Sequence, residues 1–212
     1  MTPTTRNDRL EQIGWFLQNR LQEVAAQQEA KEQDPDYRWQ HTLRVSHYGK
    51  LIAEAEGADV ELVIAACLLH DVAHFDPGDW KDHGRLGAEL IRPHLQELGY
   101  SPAQVDNICY SVAAHVDVEQ PETLEAKIVT DADNVDRFGA YRTIQWCVGD
   151  LGDYSALIAK LKDRIETLRR YRQQDLLQTA TGQDLFNQQL DRQIEFFEAL
   201  VQEHEITFVP HL

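Results

Sequence analysis

The chain has 212 residues, 42% of them hydrophobic and 26% charged, which suits a single globular domain with one core. Its 20 basic and 36 acidic residues give a formal net charge of −16. Because this negative charge repels polyanions, nucleic acid is disfavoured as a general partner. Small phosphorylated substrates stay open, because a metal ion and a few Lys or Arg side chains can reverse the potential within one cleft. The longest strongly apolar run, Leu62–Leu69, is far shorter than the roughly 20 residues that span a bilayer, and the first residues contain no apolar signal segment. We therefore expect a cytoplasmic protein that does not bind membranes.

Apolar residues recur at helical spacing along almost the whole chain, and three helices are predicted in the first third of it. The first carries the apolar set between Leu10 and Val24, and the second covers about residues 37–55, after a breaker at 34–36. The third covers about residues 59–71. Because this third helix is apolar on every side, it is predicted to lie in the middle of the domain.

Three further helices are predicted in the middle of the chain. The fourth begins at about Lys81 and contains Pro93, which we expect to kink or divide it, since proline removes a backbone donor. Ser101 and Pro102 predict the N-cap and first turn of a fifth helix. A sixth begins at about Glu122.

Two long amphipathic helices are predicted after the turn at residues 149–153, and their apolar faces could close the core or serve a homodimer. The sequence contains no β-hairpin signal, Gly-rich phosphate loop or repeat period. The expected class is therefore all-α, a single domain over residues 1–212 with about eight or nine helices.

Four histidines and one aspartate stand at the end or on the buried stripe of predicted helices. They are His41, His70, His83, His115 and Asp131. Imidazole and carboxylate are the usual ligands of divalent Zn, Mn, Fe, Co and Ni, and a buried Asp is costly without a cation or a donor. The adjacent His70 and Asp71 point about 100° apart at a helix end, so that they can offer a nitrogen and an oxygen to one ion.

The order His41, then His70-Asp71, then Asp131 resembles the pattern of the HD-domain superfamily of metal-dependent phosphohydrolases. Longer stretches around these residues are also similar to family segments, in the family's order: 41–45, 65–72, 83–88 and 126–136. The resemblance covers about residues 37–142. It implies a helical HD-domain bundle whose motif-bearing core has helical scaffold on both sides.

The resemblance also implies a metal site. The ligands implied for one divalent ion (Mn, Fe, Co, Ni, Zn or Mg) are His41, His70, Asp71 and Asp131. His83 and His115 stand where some members bring ligands for a second ion; the alternative is that they line the cleft or contact a substrate phosphate. The sequence around Asp133 does not match the residue pattern of a calcium-binding loop, and Asp133 is expected to cap a helix or orient a ligand.

The implied activity is hydrolysis of a small phosphate ester or anhydride, such as a nucleotide, by hydroxide formed when a metal lowers the pKa of its bound water toward about 7. Asp71 is one expected catalytic residue, with Lys81 and Arg85 as cations that bind the substrate and neutralise phosphoryl charge. Arg142 is a further candidate for binding phosphate. Many relatives have an acidic residue three positions after the motif aspartate, but this chain has His74, which could be a general base, an additional ligand or a bystander.

Two other functions stay open on the same helical frame. Some relatives use two iron ions and oxygen to cleave carbon bonds, and such an oxygenase needs a six-ligand set that His83 and His115 would complete. The other alternative is a non-catalytic module that retains a metal or binds a nucleotide.

Overall fold

The computed structural model describes residues 5–27, 35–76, 80–117, 119–148 and 152–206. Within these ranges the chain forms nine α-helices, one short 3-10 turn and no strand, which confirms the all-α class. The helices are α1 (Arg6–Gln27), α2 (Pro35–Glu56), α3 (Val60–Leu69), α4 (His83–Glu97), α5 (Pro102–Asp117), α6 (Leu124–Arg137), α7 (Ala140–Val148), α8 (Tyr154–Arg172) and α9 (Ala180–Ile206), and the 3-10 turn is Trp80–Asp82.

The chain divides into two compact units, residues 1–133 and 134–212. In the first unit α3 packs against α1, α2 and α5, while α4 packs against α5; in the second, α9 packs against α7 and α8. The single domain and the motif-bearing core expected over about residues 37–142 stay predictions.

The central position predicted for the third helix is confirmed, because seven of the ten residues of α3 are buried. Asp59 caps this helix by accepting hydrogen bonds from the amides of Glu61 and Leu62. Where α2 crosses α3, Gly49 allows a close approach: a Cβ added there would lie 2.6 Å from the Sγ atom of Cys67. The sequence therefore brings α2 and the end of α3 close together.

Two elements differ from the expectation. Pro93 does not divide α4, which runs on to Glu97; the proline lies on the exposed side of the helix, where water can hydrogen-bond a carbonyl that lacks its usual donor. The separate helix α7 was not predicted. The predicted cap of the fifth helix is confirmed, since Ser101 and Gln104 exchange hydrogen bonds in a capping box at the start of α5.

In the part of the chain that the structure describes, no helix combines the length and the apolar character needed to cross a membrane.

Candidate metal centre

Four elements of the first unit bring imidazole and carboxylate groups to one place. His41 comes from the second turn of α2, and His70 is the C-cap of α3, directly followed by Asp71. His83 is the first residue of α4, and His115 lies in the last turn of α5. The third helix thus ends where three other helices can meet it.

The first set of donor atoms faces the Oδ2 atom of Asp71. The Nε2 atoms of His41 and His70 lie 3.5 and 3.3 Å from this oxygen, and 3.3 Å from each other. Asp133, on α6, adds its Oδ1 atom 3.3 Å from His41 Nε2 and 3.9 Å from His70 Nε2. All four side chains are buried.

The second set faces the other carboxylate oxygen of Asp71. His83 Nε2 lies 3.1 Å from Asp71 Oδ1, His115 Nε2 lies 3.7 Å from it, and His74 Nδ1 lies 3.6 Å from it. The Nε2 atoms of His83 and His115 are 3.1 Å apart. Each oxygen of Asp71 is therefore turned toward its own group of imidazoles.

Backbone carbonyls fix the tautomers of two of these rings. His70 Nδ1 is 2.7 Å from the carbonyl oxygen of Cys67, and His115 Nδ1 is 2.6 Å from that of Val112. A carbonyl oxygen only accepts, so both Nδ1 atoms donate, and in the neutral ring Nε2 carries a lone pair. Burial lowers the pKa of His115 and so favours the neutral ring, although the nearby Asp71 carboxylate has an opposing effect.

The donor atoms therefore fit a cation. Lone pairs on His70 and His115 point at carboxylate oxygens, an arrangement that is unfavourable unless a positive charge lies between them. Ligands at about 2.0–2.2 Å from one ion in a tetrahedral arrangement lie about 3.3–3.6 Å apart. The separations of His41, His70 and Asp71 are 3.3 to 3.5 Å, so these three side chains match that spacing without rearrangement.

Arg38, which the sequence analysis does not identify, holds the central carboxylate. It lies one helical turn before His41, its Nη1 donates to Asp71 Oδ2, and its Nη2 lies 2.7 Å from His74 Nε2. Burial alone would raise the pKa of Asp71, but His70 and Arg38 outweigh it and hold this pKa well below its usual range. The signal in the sequence is the spacing of three residues that places Arg38 and His41 on one helix face.

His74 is less buried than the other four histidines around Asp71 and is oriented by Arg38. Because a guanidinium only donates, His74 Nε2 accepts from Arg38, and in a neutral ring the proton resides on Nδ1, the atom turned toward Asp71. The general-base role expected for His74 stays a prediction.

The cations expected at the substrate have separate locations. Arg85 lies on the exposed side of α4, where its guanidinium pairs with Asp82 and Glu89. Since residues two apart on a helix point about 200° away from each other, Arg85 faces away from His83. Lys81 is exposed in the short 3-10 turn, and Arg142 belongs to the second unit.

The carboxylate that reaches His41 and His70 is that of Asp133, two residues after the Asp131 of the expected ligand set. Both aspartates are buried in α6, but they lie about 200° apart around the helix, so Asp131 points to a different side. The sequence could not separate them, because nearly the whole circumference of this helix is buried, including Ile128, Val129, Ala132 and Val135.

Comparisons with known proteins agree with this geometry. The family model described as HD domain matches residues 38–137. A ribonuclease Y from Alkaliphilus metalliredigens is 32% identical over 126 residues, which is 58% of this chain and 24% of the relative. The chain thus spans about a quarter of the length of that relative.

Solved structures show the same fold. A structure described as an HD-superfamily hydrolase from Bacillus thuringiensis has a TM-score of 0.70 at 21% identity, and the match covers 95% of this chain and 99% of the other. Bacillus subtilis YpgQ, solved in complex with ADP, has a TM-score of 0.62 at 21% identity, with 97% of both chains covered. The HD-domain model matches a range that contains His41, His70 and Asp71, and this part of the chain, residues 38–137, is an HD domain.

Proposed function

We propose that the protein is a metal-dependent phosphohydrolase that acts on a small phosphate ester or anhydride, such as a nucleotide. The observation that carries this proposal is the position of Asp71, whose two carboxylate oxygens each face a separate set of buried donor atoms. A carboxylate in this position can bridge two sites about which a substrate phosphate and a water could be held.

The ligands that we propose for the first ion are His41, His70, Asp71 and Asp133. For a second ion we propose Asp71 through its other oxygen, together with His83 and His115. Such an ion, when bound, supplies Lewis-acid polarisation of a phosphoryl oxygen and lowers the pKa of a coordinated water. Imidazole and carboxylate donors suit Zn, Mn, Fe, Co or Ni.

The residues of the chain have their own parts in this proposal. The carbonyls of Cys67 and Val112 orient the rings of His70 and His115, so that their lone pairs point inward. Arg38 fixes the rotation of the Asp71 carboxylate. Lys81 stays a candidate for binding the phosphoryl group, whereas Arg85 would first have to leave its two carboxylate partners.

Three facts bear on the substrate class, two in favour of a small phosphate compound and one in favour of RNA. The net charge of −16 opposes long polyanions, and it permits a small phosphate in a cleft that contains cations. One structural neighbour was solved with ADP. The relatives named ribonuclease Y match this chain over its HD region, and this match favours RNA as a second candidate substrate.

The test is a phosphate-release screen with nucleotides and sugar phosphates, run beside a gel assay for cleavage of a short single-stranded RNA, in the presence of Mn, Mg, Co, Ni or Zn. His41→Ala and His47→Ala form a matched pair, because both residues lie on α2 and only His41 faces the carboxylates. We expect at least one substrate to turn over, with a loss of about a hundredfold or more in His41→Ala and little change in His47→Ala.

Absence of turnover with every substrate and metal would contradict the proposal and favour the non-catalytic metal or nucleotide module. Cleavage of RNA alone would move the substrate to the second candidate. An oxygen-dependent product with iron, without phosphate release, would instead establish the oxygenase alternative, whose six ligands would be His41, His70, Asp71, Asp133, His83 and His115.

A further inference from the structure

The second unit contains a cavity with an unusual concentration of positive charge. Three arginines from three helices, α6, α7 and α8, line a space of about 100 Å³ together with Phe197: Arg137, Arg142 and Arg164. Three guanidinium groups thus line one cavity in a chain whose net charge is −16.

An apolar lobe adjoins this arginine lobe. It has a volume of about 130 Å³. Ala140, Ile144 and Phe196 provide its apolar surface, and Gln189 and Arg192 also line it. Thr143 and Gln193 line both lobes, so the two spaces share one wall. The two lobes therefore lie side by side, one lined by three arginines and the other mainly apolar.

The common wall is rigidly held. Thr143 Oγ1 donates to the carbonyl of Gly139 at 3.0 Å, and Gln193 Nε2 donates to the carbonyl of Phe138. The guanidinium of Arg164 lies over the ring of Phe138, 5.1 Å from its centroid, and Phe186 packs edge-on against that ring at 4.8 Å. Aromatic packing thus fixes Arg164 before any ligand arrives.

Arg164 differs from Arg169 and Arg172 of α8 in what it contacts. Arg169 pairs with Glu166 and Glu198, and Arg172 pairs with Asp191, whereas among the described residues Arg164 has an aromatic ring as its neighbour and no carboxylate. Burial lowers the pKa of the Arg164 guanidinium, with an opposing effect of Tyr171. A half-buried cation without a counter-charge has lost hydration, and a bound anion would offset that loss.

We propose that this cavity binds a small phosphate-bearing molecule with an apolar group, a nucleoside phosphate being the simplest example. The guanidinium groups would hold the phosphate oxygens in bidentate contacts, and the apolar group would lie against Ile144 and Phe196. The site uses none of the residues around Asp71 and needs no metal. It is therefore independent of the proposed hydrolysis.

The test is isothermal titration calorimetry of the full chain in EDTA with three probes: ADP, inorganic phosphate and adenosine. We expect ADP to bind most tightly, because only ADP occupies both lobes. Arg164→Gln and, separately, the exposed Arg142→Gln should each weaken ADP binding about tenfold or more. Arg172→Gln, on the same helix and paired with Asp191 at the surface, should leave the Kd unchanged.

Several outcomes would overturn the inference. They are no saturable binding of ADP, an affinity for ADP in both arginine variants equal to that of the parent protein, adenosine binding as tightly as ADP, or loss of ADP binding in Asp71→Ala with no loss in Arg164→Gln. If Arg164→Gln does not fold, Arg142→Gln decides, since this side chain is exposed. Because chelator removes metals, a failure of the phosphate-release screen would not affect this result.

Discussion

Asp133 rather than Asp131 should control metal binding, and a pair of isosteric variants separates them. The structure places Asp133 Oδ1 3.3 Å from His41 Nε2, whereas Asp131 points to another side of α6. Asp133→Asn replaces a charged ligand by a weaker neutral oxygen at this position. Asp131→Asn makes the same chemical change two residues away, so any general effect of losing a buried carboxylate appears in both variants.

The magnitude follows from linkage. At a metal concentration of 100 times the Kd, binding stabilises the folded state by about 2.7 kcal/mol. For a chain of 212 residues, 1 kcal/mol corresponds to about 2–4 °C in Tm, so Mn²⁺ should raise the Tm of the parent protein by about 5–11 °C. If Asp133→Asn weakens binding about hundredfold, the same Mn²⁺ concentration contributes only about 0.4 kcal/mol, or about 1 °C.

The assay is thermal unfolding with and without Mn²⁺, in which each variant is compared with its own metal-free Tm. This comparison removes any change in intrinsic stability. Asp131→Asn should keep the shift of the parent protein. A full shift in Asp133→Asn together with a lost shift in Asp131→Asn would refute the structural assignment and restore the ligand set expected from sequence.

Two further predictions concern the first unit. Gly49→Ala should destabilise the protein, because the new Cβ would lie 2.6 Å from Cys67 Sγ and overpacking costs about 1–3 kcal/mol, which outweighs the gain of about 1 kcal/mol in helix propensity. Urea unfolding should show a smaller loss of stability when the same substitution is made in a Cys67→Ala background. An equal loss in both backgrounds would exclude this contact as the cause. His94 stacks on Phe16 at 4.4 Å, and burial, against the opposing charge of Glu97, lowers its pKa below 6.5, so the unfolded chain binds the proton more readily. The contribution of neutral His94 to stability is therefore present above pH 6.5 and lost as the pH falls through the lower folded-state pKa. His94→Phe should make the Tm less sensitive to acid. If the Tm of His94→Phe fell between pH 7 and 5 as steeply as that of the parent protein, the argument would be contradicted.

The sequence predicted the elements that have one strong local cause. The apolar run of α3 and the adjacent His70-Asp71 are encoded in consecutive residues, and the structure places this pair at the end of a buried helix as the pattern predicts. Ser101 likewise caps α5 through a motif four residues long. Neighbouring residues were sufficient to predict these features, because their conformation does not depend on contacts with distant parts of the chain.

The features that the sequence did not predict depend on distant contacts. Arg38 is an ordinary charged residue on α2 until Asp71, 33 residues later, is brought against it. Asp131 and Asp133 have the same residue type and nearly the same burial, so only the direction in which α6 packs selects between them. Helix phase relative to a neighbour is a tertiary property, and periodicity within one helix does not determine it.

The contact between Arg38 and Asp71 also explains how one carboxylate can serve two sets of ligands. Each carboxylate oxygen has two lone pairs, so Asp71 Oδ2 can accept from Arg38 and still face His41 and His70. A fixed Oδ2 determines the position of Oδ1, which then lies 3.1 Å from His83. Without the guanidinium the carboxylate could rotate and favour one set of histidines over the other. Arg38 therefore links the two halves of the proposed metal centre, although it need not contact either ion itself.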